Sequence, residues 1–141
     1  MTLRDIGRGA REGGKLRKFG FGPEVARYID RYGSNFVISR LVQSETLHVG
    51  CMRLGPGGLV AYHQALTHQL FAVVEGQGWV RGASSQRVPI EVGQAAFWQP
   101  GEYHEAGTDT GMVAIVVEGA ALASSPEDIG PVSSQAEEAA T

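Results

Sequence analysis

His63 and His104 are the residues of this chain best suited to chemistry, since each lies on a strand-like run framed by glycines. A neutral imidazole there can bind a metal ion or move a proton near neutral pH. The first run reads Gly57-Gly58-Leu59-Val60-Ala61-Tyr62-His63-Gln64-Ala65-Leu66-Thr67-His68-Gln69 and continues through Leu70 and Phe71 to Glu75-Gly76. The second runs from Gly93 through Phe97, Trp98, Pro100, Gly101 and Glu102 to His104. Strands that end at glycine turns and carry one polar side chain each are how a small β-barrel aims ligands into its interior.

The elements that must position these groups are short. Twenty glycines and many brief Val, Ile, Leu and Phe runs in 141 residues favour one all-β domain over a helix bundle. Strand patterns cover 35–42, 45–54, 68–75, 78–81, 86–90, 95–98 and 111–118, the spacing of a meander or barrel. Pro23 opens a helical pattern over 24–31, with Val25, Tyr28, Ile29 and Tyr32 on one face and Gly33 as its stop. Residues 1–22 read as an irregular lead-in, 23–121 as the barrel domain with its helix, and 122–141, rich in Ala, Ser, Glu and Pro, as a disordered acidic tail.

Charge excludes some classes of partner. The net charge of -3 offers no broad attraction to nucleic acid or anionic membrane, although residues 1–40 hold nine Lys/Arg against four Asp/Glu. The basic groups Arg4, Arg8, Arg11, Lys15, Arg17 and Lys18 have no interleaved aromatics and read as a solvated segment. The single cysteine, Cys51, forms no internal disulfide, and no apolar run has the length of a membrane span or the form of a signal peptide, so a cytoplasmic protein is expected. No nucleotide loop or nucleophile elbow is present.

With these residues in view, the chain resembles a single-domain cupin, a small double-stranded β-helix (jelly-roll) barrel. Gly57, His63, Gln69 and Gly76 fall in register with the first cupin motif, and Gly93, Gly101 and His104 with the second; Gln99 and Thr108 replace the usual Pro and Asn, and Pro100 is displaced by one. The resemblance implies a metal site formed by two histidines and a glutamate of the first motif and the histidine of the second. Here Ala65 stands at the second histidine position and Gln69 at the glutamate position. It therefore implies a weakened site of His63, Gln69 and His104 for a divalent ion such as Fe, Mn, Ni or Zn, because an amide oxygen lacks the carboxylate's charge.

Strand parity sorts the neighbours. If Gln69 points inward, Phe71 and Val73 do too, and His68, Leu70, Ala72 and Val74 point out. Glu102 shares parity with His104 and is the candidate for the missing carboxylate, and Glu102 and Glu105 are the candidate proton-transfer groups. Tyr62, Phe71, Val73 and Trp98 are the candidate substrate-pocket residues, and as readily core packing. His48 and His68 lie off the motif positions and read as surface or interface residues. Gln69 serves equally well as a hydrogen-bonding group for a ligand or water.

Three functions are compatible with such a pocket: a metal-dependent enzyme, a metal-free isomerase or cyclase with a histidine base, and a binding or sensory module without turnover. A small-molecule ligand is expected in each. The apolar residues on both parities of 69–74 call for a cover on the outer face, by a second subunit in a homodimer or in part by the 24–31 segment.

Overall fold

The computed structural model describes residues 14–120, 122 and 128–131. Most of the expected acidic tail, and residues 1–13 of the lead-in, lie outside the described residues. The described part of the lead-in, 14–21, carries neither helix nor strand.

The described residues form nine strands: β1 (Arg27–Ile29), β2 (Phe36–Gln43), β3 (His48–Leu54), β4 (Leu59–Gln64), β5 (Gln69–Arg81), β6 (Val88–Glu91), β7 (Ala95–Trp98), β8 (Tyr103–Gly107) and β9 (Met112–Glu118). All pairings are antiparallel. One sheet runs β1-β2-β3-β9-β5-β7 and the other β4-β8-β5-β6, so β5 belongs to both.

That sharing is what curls the structure into a barrel. The first half of β5 pairs with β9 as far as Gly76, and the second half pairs with β8 from Trp79 onward. The change of sheet happens at Gly76, whose φ is 75° and where a Cβ would stand 2.2 Å from the Gly111 carbonyl oxygen, and at Gly78, where it would stand 2.1 Å from that of Gly107. Only glycine allows backbones so close and so bent. The sequence pattern divides this strand in two at the same place, 68–75 and 78–81, because these glycines interrupt the alternation.

The inward-facing residues form one core: Phe36, Met52, Leu54, Val60, Phe71, Val73, Val80, Ile90, Trp98, Ala106, Met112, Ala114 and Val116. Phe71 and Val73 point inward as parity requires, and a bulge between Val73 and Glu75 turns Glu75 out to solvent.

The continuous helix expected over 24–31 is instead two single 3₁₀ turns, Pro23–Val25 and Arg31–Gly33, on either side of β1. Eight residues make a marginal isolated helix, and pairing Arg27–Ile29 with Phe36–Ile38 satisfies the same backbone while joining the sheet. On the outer face of β2 and β3, the Ser39 hydroxyl donates to the Gly22 carbonyl (3.0 Å) and the Arg53 guanidinium to that of Phe21 (3.0 Å). The lead-in thus supplies part of the outer cover from within the chain.

Candidate functional site

His63 and His104 are direct cross-strand partners on β4 and β8. Their ring centroids are 4.3 Å apart, with the planes tilted by 56°. The 40 residues between them are spanned by the β4–β8 pairing, which lays the two motif strands side by side.

What aims His63 inward is a bulge. Val60 pairs with Ala106 and His63 with His104, so Ala61 and Tyr62 together stand opposite the single residue Glu105. The extra residue frees the backbone of Ala61 from the ladder, and both of its polar groups find other partners. Its N–H donates to the Ser34 hydroxyl (2.8 Å), and its carbonyl lies 2.7 Å from Nδ1 of His63. Since a carbonyl only accepts, Nδ1 carries a proton and donates it, which leaves Nε2 as the nitrogen turned away from the strand.

His104 is held differently. The turn before it docks on Ala65 through two backbone bonds, Gly101 N–H to the Ala65 carbonyl and Ala65 N–H to the Glu102 carbonyl, both 2.8 Å. The imidazole is then 2% exposed, lies against the Trp98 indole (4.7 Å between centroids), and has no hydrogen-bond partner among the described residues on either ring nitrogen. Burial, and then the neighbouring His63, lower its pKa from 6.5 to about 4; the Glu102 carbonyl, outside hydrogen-bonding geometry, opposes this. His104 is therefore a neutral imidazole near pH 7.

The other expected site residues do not converge on this pair. Gln69 points inward, but its amide donates to the Glu118 carboxylate (2.7 Å), its partner across β5 and β9. Gln69 pairs on its other side with Trp98, whose indole lies against His104. Glu102 accepts from the backbone N–H of Gln99 (3.1 Å) and is exposed in its turn, so it does not replace the missing carboxylate. Glu105 lies on the outer face, paired with Arg81 at 2.5 Å. Tyr62 is turned out with it by the bulge, stacked on Tyr103 (5.2 Å) beneath the Arg81 guanidinium (4.2 Å), and so does not line the interior. Phe71, Val73 and Trp98 are packed core residues. Among the described residues, no three His, Cys, Asp or Glu side chains are grouped closely enough to hold a metal ion.

The off-motif histidines lie apart from the pair. His68 stacks on Phe97 (5.8 Å), and His48, exposed, is the cross-strand partner of Glu118. Sequence reasoning missed Tyr32, whose ring stacks on His63 (5.3 Å, 15° between planes), Ser34, which holds the bulge, and Glu118. Its one available signal was Tyr32-Gly33, a turn pair that the helical pattern absorbed as a helix end.

No protein-family model matches the sequence, and no curated protein matches it. Solved structures do match in fold. A Cupin 2 conserved barrel domain protein from Salinispora arenicola is 14% identical over 74% of this chain and 88% of its own, with a TM-score of 0.63. An RmlC-like cupin from Shewanella frigidimarina is 23% identical over 74% and 91% (TM-score 0.61). A protein from Thermotoga maritima described as a predicted oxalate decarboxylase is 22% identical over 66% and 90% (TM-score 0.59). With the shared long strand, the antiparallel pairing and the motif histidines brought side by side, these likenesses settle the architecture: the chain has the cupin fold, a double-stranded β-helix barrel.

Proposed function

We propose that this chain is a small-molecule-binding protein in which His63 and His104 hold a divalent transition-metal ion, leaving its remaining positions to water and ligand. The observation that carries this reading is His104: a buried imidazole with both nitrogens unpartnered. Leaving a buried polar group unsatisfied costs about 1–3 kcal/mol, and such groups persist where a ligand, ion or catalytic role uses them.

The residues fit an ion through two donors. Neutral imidazole is the coordinating form, and the hydrogen bond from Nδ1 of His63 to the Ala61 carbonyl is the kind of outer contact that orients a metal-binding histidine and presents Nε2. With Gln69 engaged by Glu118 and no third His, Cys, Asp or Glu grouped with the pair among the described residues, the site offers no anionic ligand. It therefore suits the imidazole-preferring ions Zn, Ni and Fe over Mn, which favours carboxylate and water oxygens. When bound, the ion would supply a Lewis acid toward a ligand carbonyl or carboxylate. The chain's own contribution is to hold His104 against Trp98, to orient His63 through its Nδ1 hydrogen bond, and to keep His104 unprotonated. A base with a pKa near 4 removes protons poorly at neutral pH, so His104 serves the metal-free isomerase alternative badly.

Titration of tag-free protein with Zn²⁺ and Ni²⁺ by calorimetry tests the reading. One ion per chain with weak affinity is expected, lost in His63→Ala and in His104→Ala and retained in Glu105→Gln. Absence of binding in the wild-type protein, or binding that survives both histidine substitutions, sinks it.

A further inference from the structure

Tyr32 is the one non-glycine residue among those described with a left-handed backbone (φ 60°, ψ 17°), a conformation that disfavours a bulky side chain. It is held there by its neighbours. Gly33 continues the left-handed path (φ 88°), Gly33 and Ser34 donate backbone N–H bonds to the Asp30 and Arg31 carbonyls, and the next two residues are tied to β4. Ser34 accepts from Ala61, and Asn35 exchanges two bonds with Leu59, its N–H to the Leu59 carbonyl (2.9 Å) and the Leu59 N–H to its side-chain oxygen (2.6 Å). Strain fixed so firmly at one exposed aromatic is an observation from which a functional role can be argued.

The ring's position says what that role is. Tyr32 on His63, His63 beside His104, His104 against Trp98 and Trp98 edge-on to Phe71 form one column of rings running into the core. Its inner members are buried: Phe71 is 3% exposed, Trp98 5% and His104 2%. Tyr32, at 68%, is the solvent end. The same bulge residue, Ala61, fixes the proton on His63 through its carbonyl and anchors the Tyr32 turn through its N–H, so the cover and the group it covers are set by one backbone unit.

We propose that Tyr32 is the access- and selectivity-determining residue of the two-histidine centre, a ring that shields the outer face of His63 and yields that face to flat, π-bearing ligands able to replace it. A flat ring recovers the stacking lost when the phenol moves away, and a puckered one of equal size does not. The inference concerns the same imidazoles as the metal reading, but its test needs no metal, so each can fail alone.

The test is carbethoxylation of metal-free protein by diethyl pyrocarbonate, followed at each histidine by peptide mass mapping, with exposed His48 as the internal reference. Tyr32→Gly is the chosen variant because glycine accepts the left-handed backbone without strain and leaves the turn intact. His63 should react at least fivefold faster in Tyr32→Gly than in the wild type, with Tyr32→Phe within twofold of the wild type. In Tyr32→Gly, added p-cresol should restore protection of His63, and 4-methylcyclohexanol should not. An unchanged His63 rate in Tyr32→Gly overturns the access role, and equal protection by the two additives overturns the selectivity for flat ligands.

Discussion

The two faces of the β4–β8 ladder are built from alternate residues of the same two strands, and they solve opposite problems. On the outer face every charge has a partner: Glu105 pairs with Arg81, whose guanidinium also donates to the Ser84 carbonyl and lies over Tyr62. On the inner face burial holds His104 neutral with both nitrogens unused, and His63 donates from Nδ1 to the Ala61 carbonyl. Stable surface chemistry is satisfied locally, whereas a binding centre keeps capacity unspent. One bulge separates them, because without the extra residue at 61–62 the alternation of β4 would carry Tyr62 and His63 to the wrong sides.

The largest expected effect lies in the pH dependence of the inner face. His104 has a folded pKa of about 4 against 6.5 in the unfolded chain, so between those values the unfolded state binds more protons. Its contribution to stability is complete above pH 6.5 and is lost as pH falls toward 4, where it levels off. At roughly 1.4 kcal/mol per pK unit, the loss is about 3 kcal/mol. Carboxylates titrate in the same range, so the comparison that isolates His104 is with His104→Phe, which keeps a ring against Trp98 and carries no proton. In chelator-treated protein, urea unfolding at pH 7 and pH 4.5 should show a smaller stability difference for His104→Phe than for the wild type by about 2–3 kcal/mol. Equal differences would mean that His104 is not held neutral by the fold.

How much of this the residues alone disclose differs between the two faces. The barrel follows from glycine placement and short strand runs, since those encode turns directly, and the convergence of His63 and His104 follows from what the cupin resemblance implies. Parity placed Gln69, Phe71 and Val73 correctly along β5. Tyr62, expected in the pocket, stands next to the inward His63, so alternation itself turns it out; what leaves no pattern is the bulge, since Ala61 and Tyr62 look like ordinary strand residues. Strands β4 and β8 did not stand out by alternation for a related reason, as their inward positions include histidines and alanines in place of a clean apolar row. Glu102 and Glu105 share the site's sequence neighbourhood, but a turn and strand parity direct them elsewhere, and the Tyr32 turn approaches from 31 residues upstream, a distance no local pattern reads.

A smaller effect is expected at the bulge, where the two faces are set apart. Ser34, 6% exposed, holds the N–H of Ala61, 7% exposed. Ser34→Ala leaves that donor buried and without its partner, which costs about 1–2 kcal/mol, and Ser34→Thr keeps the hydroxyl and should recover most of it. Urea midpoints measure both. If alanine and threonine variants unfold alike and as the wild type, the bulge is held by β4 and β8 alone, and the link between the Tyr32 turn and His63 loses its anchor.

The smallest effect belongs to the outer face. The side chains of Arg81 and Glu105 are 21% and 13% exposed, enough for solvent and salt to screen them, so the coupling from a double-mutant cycle of Arg81→Gln and Glu105→Gln should be about 0.5–1 kcal/mol and shrink in 1 M NaCl. Arg81 keeps its contacts with Tyr62 and Ser84 when Glu105 becomes glutamine, which holds the loss small. The same variants sharpen the division of labour, because a charge on the far side of a pleated strand reaches the imidazoles only through the packed backbone between them. Ion affinity at His63 and His104 should therefore stay within twofold in Glu105→Gln. A tenfold loss there would place Glu105 in the centre after all and erase the distinction between the two faces.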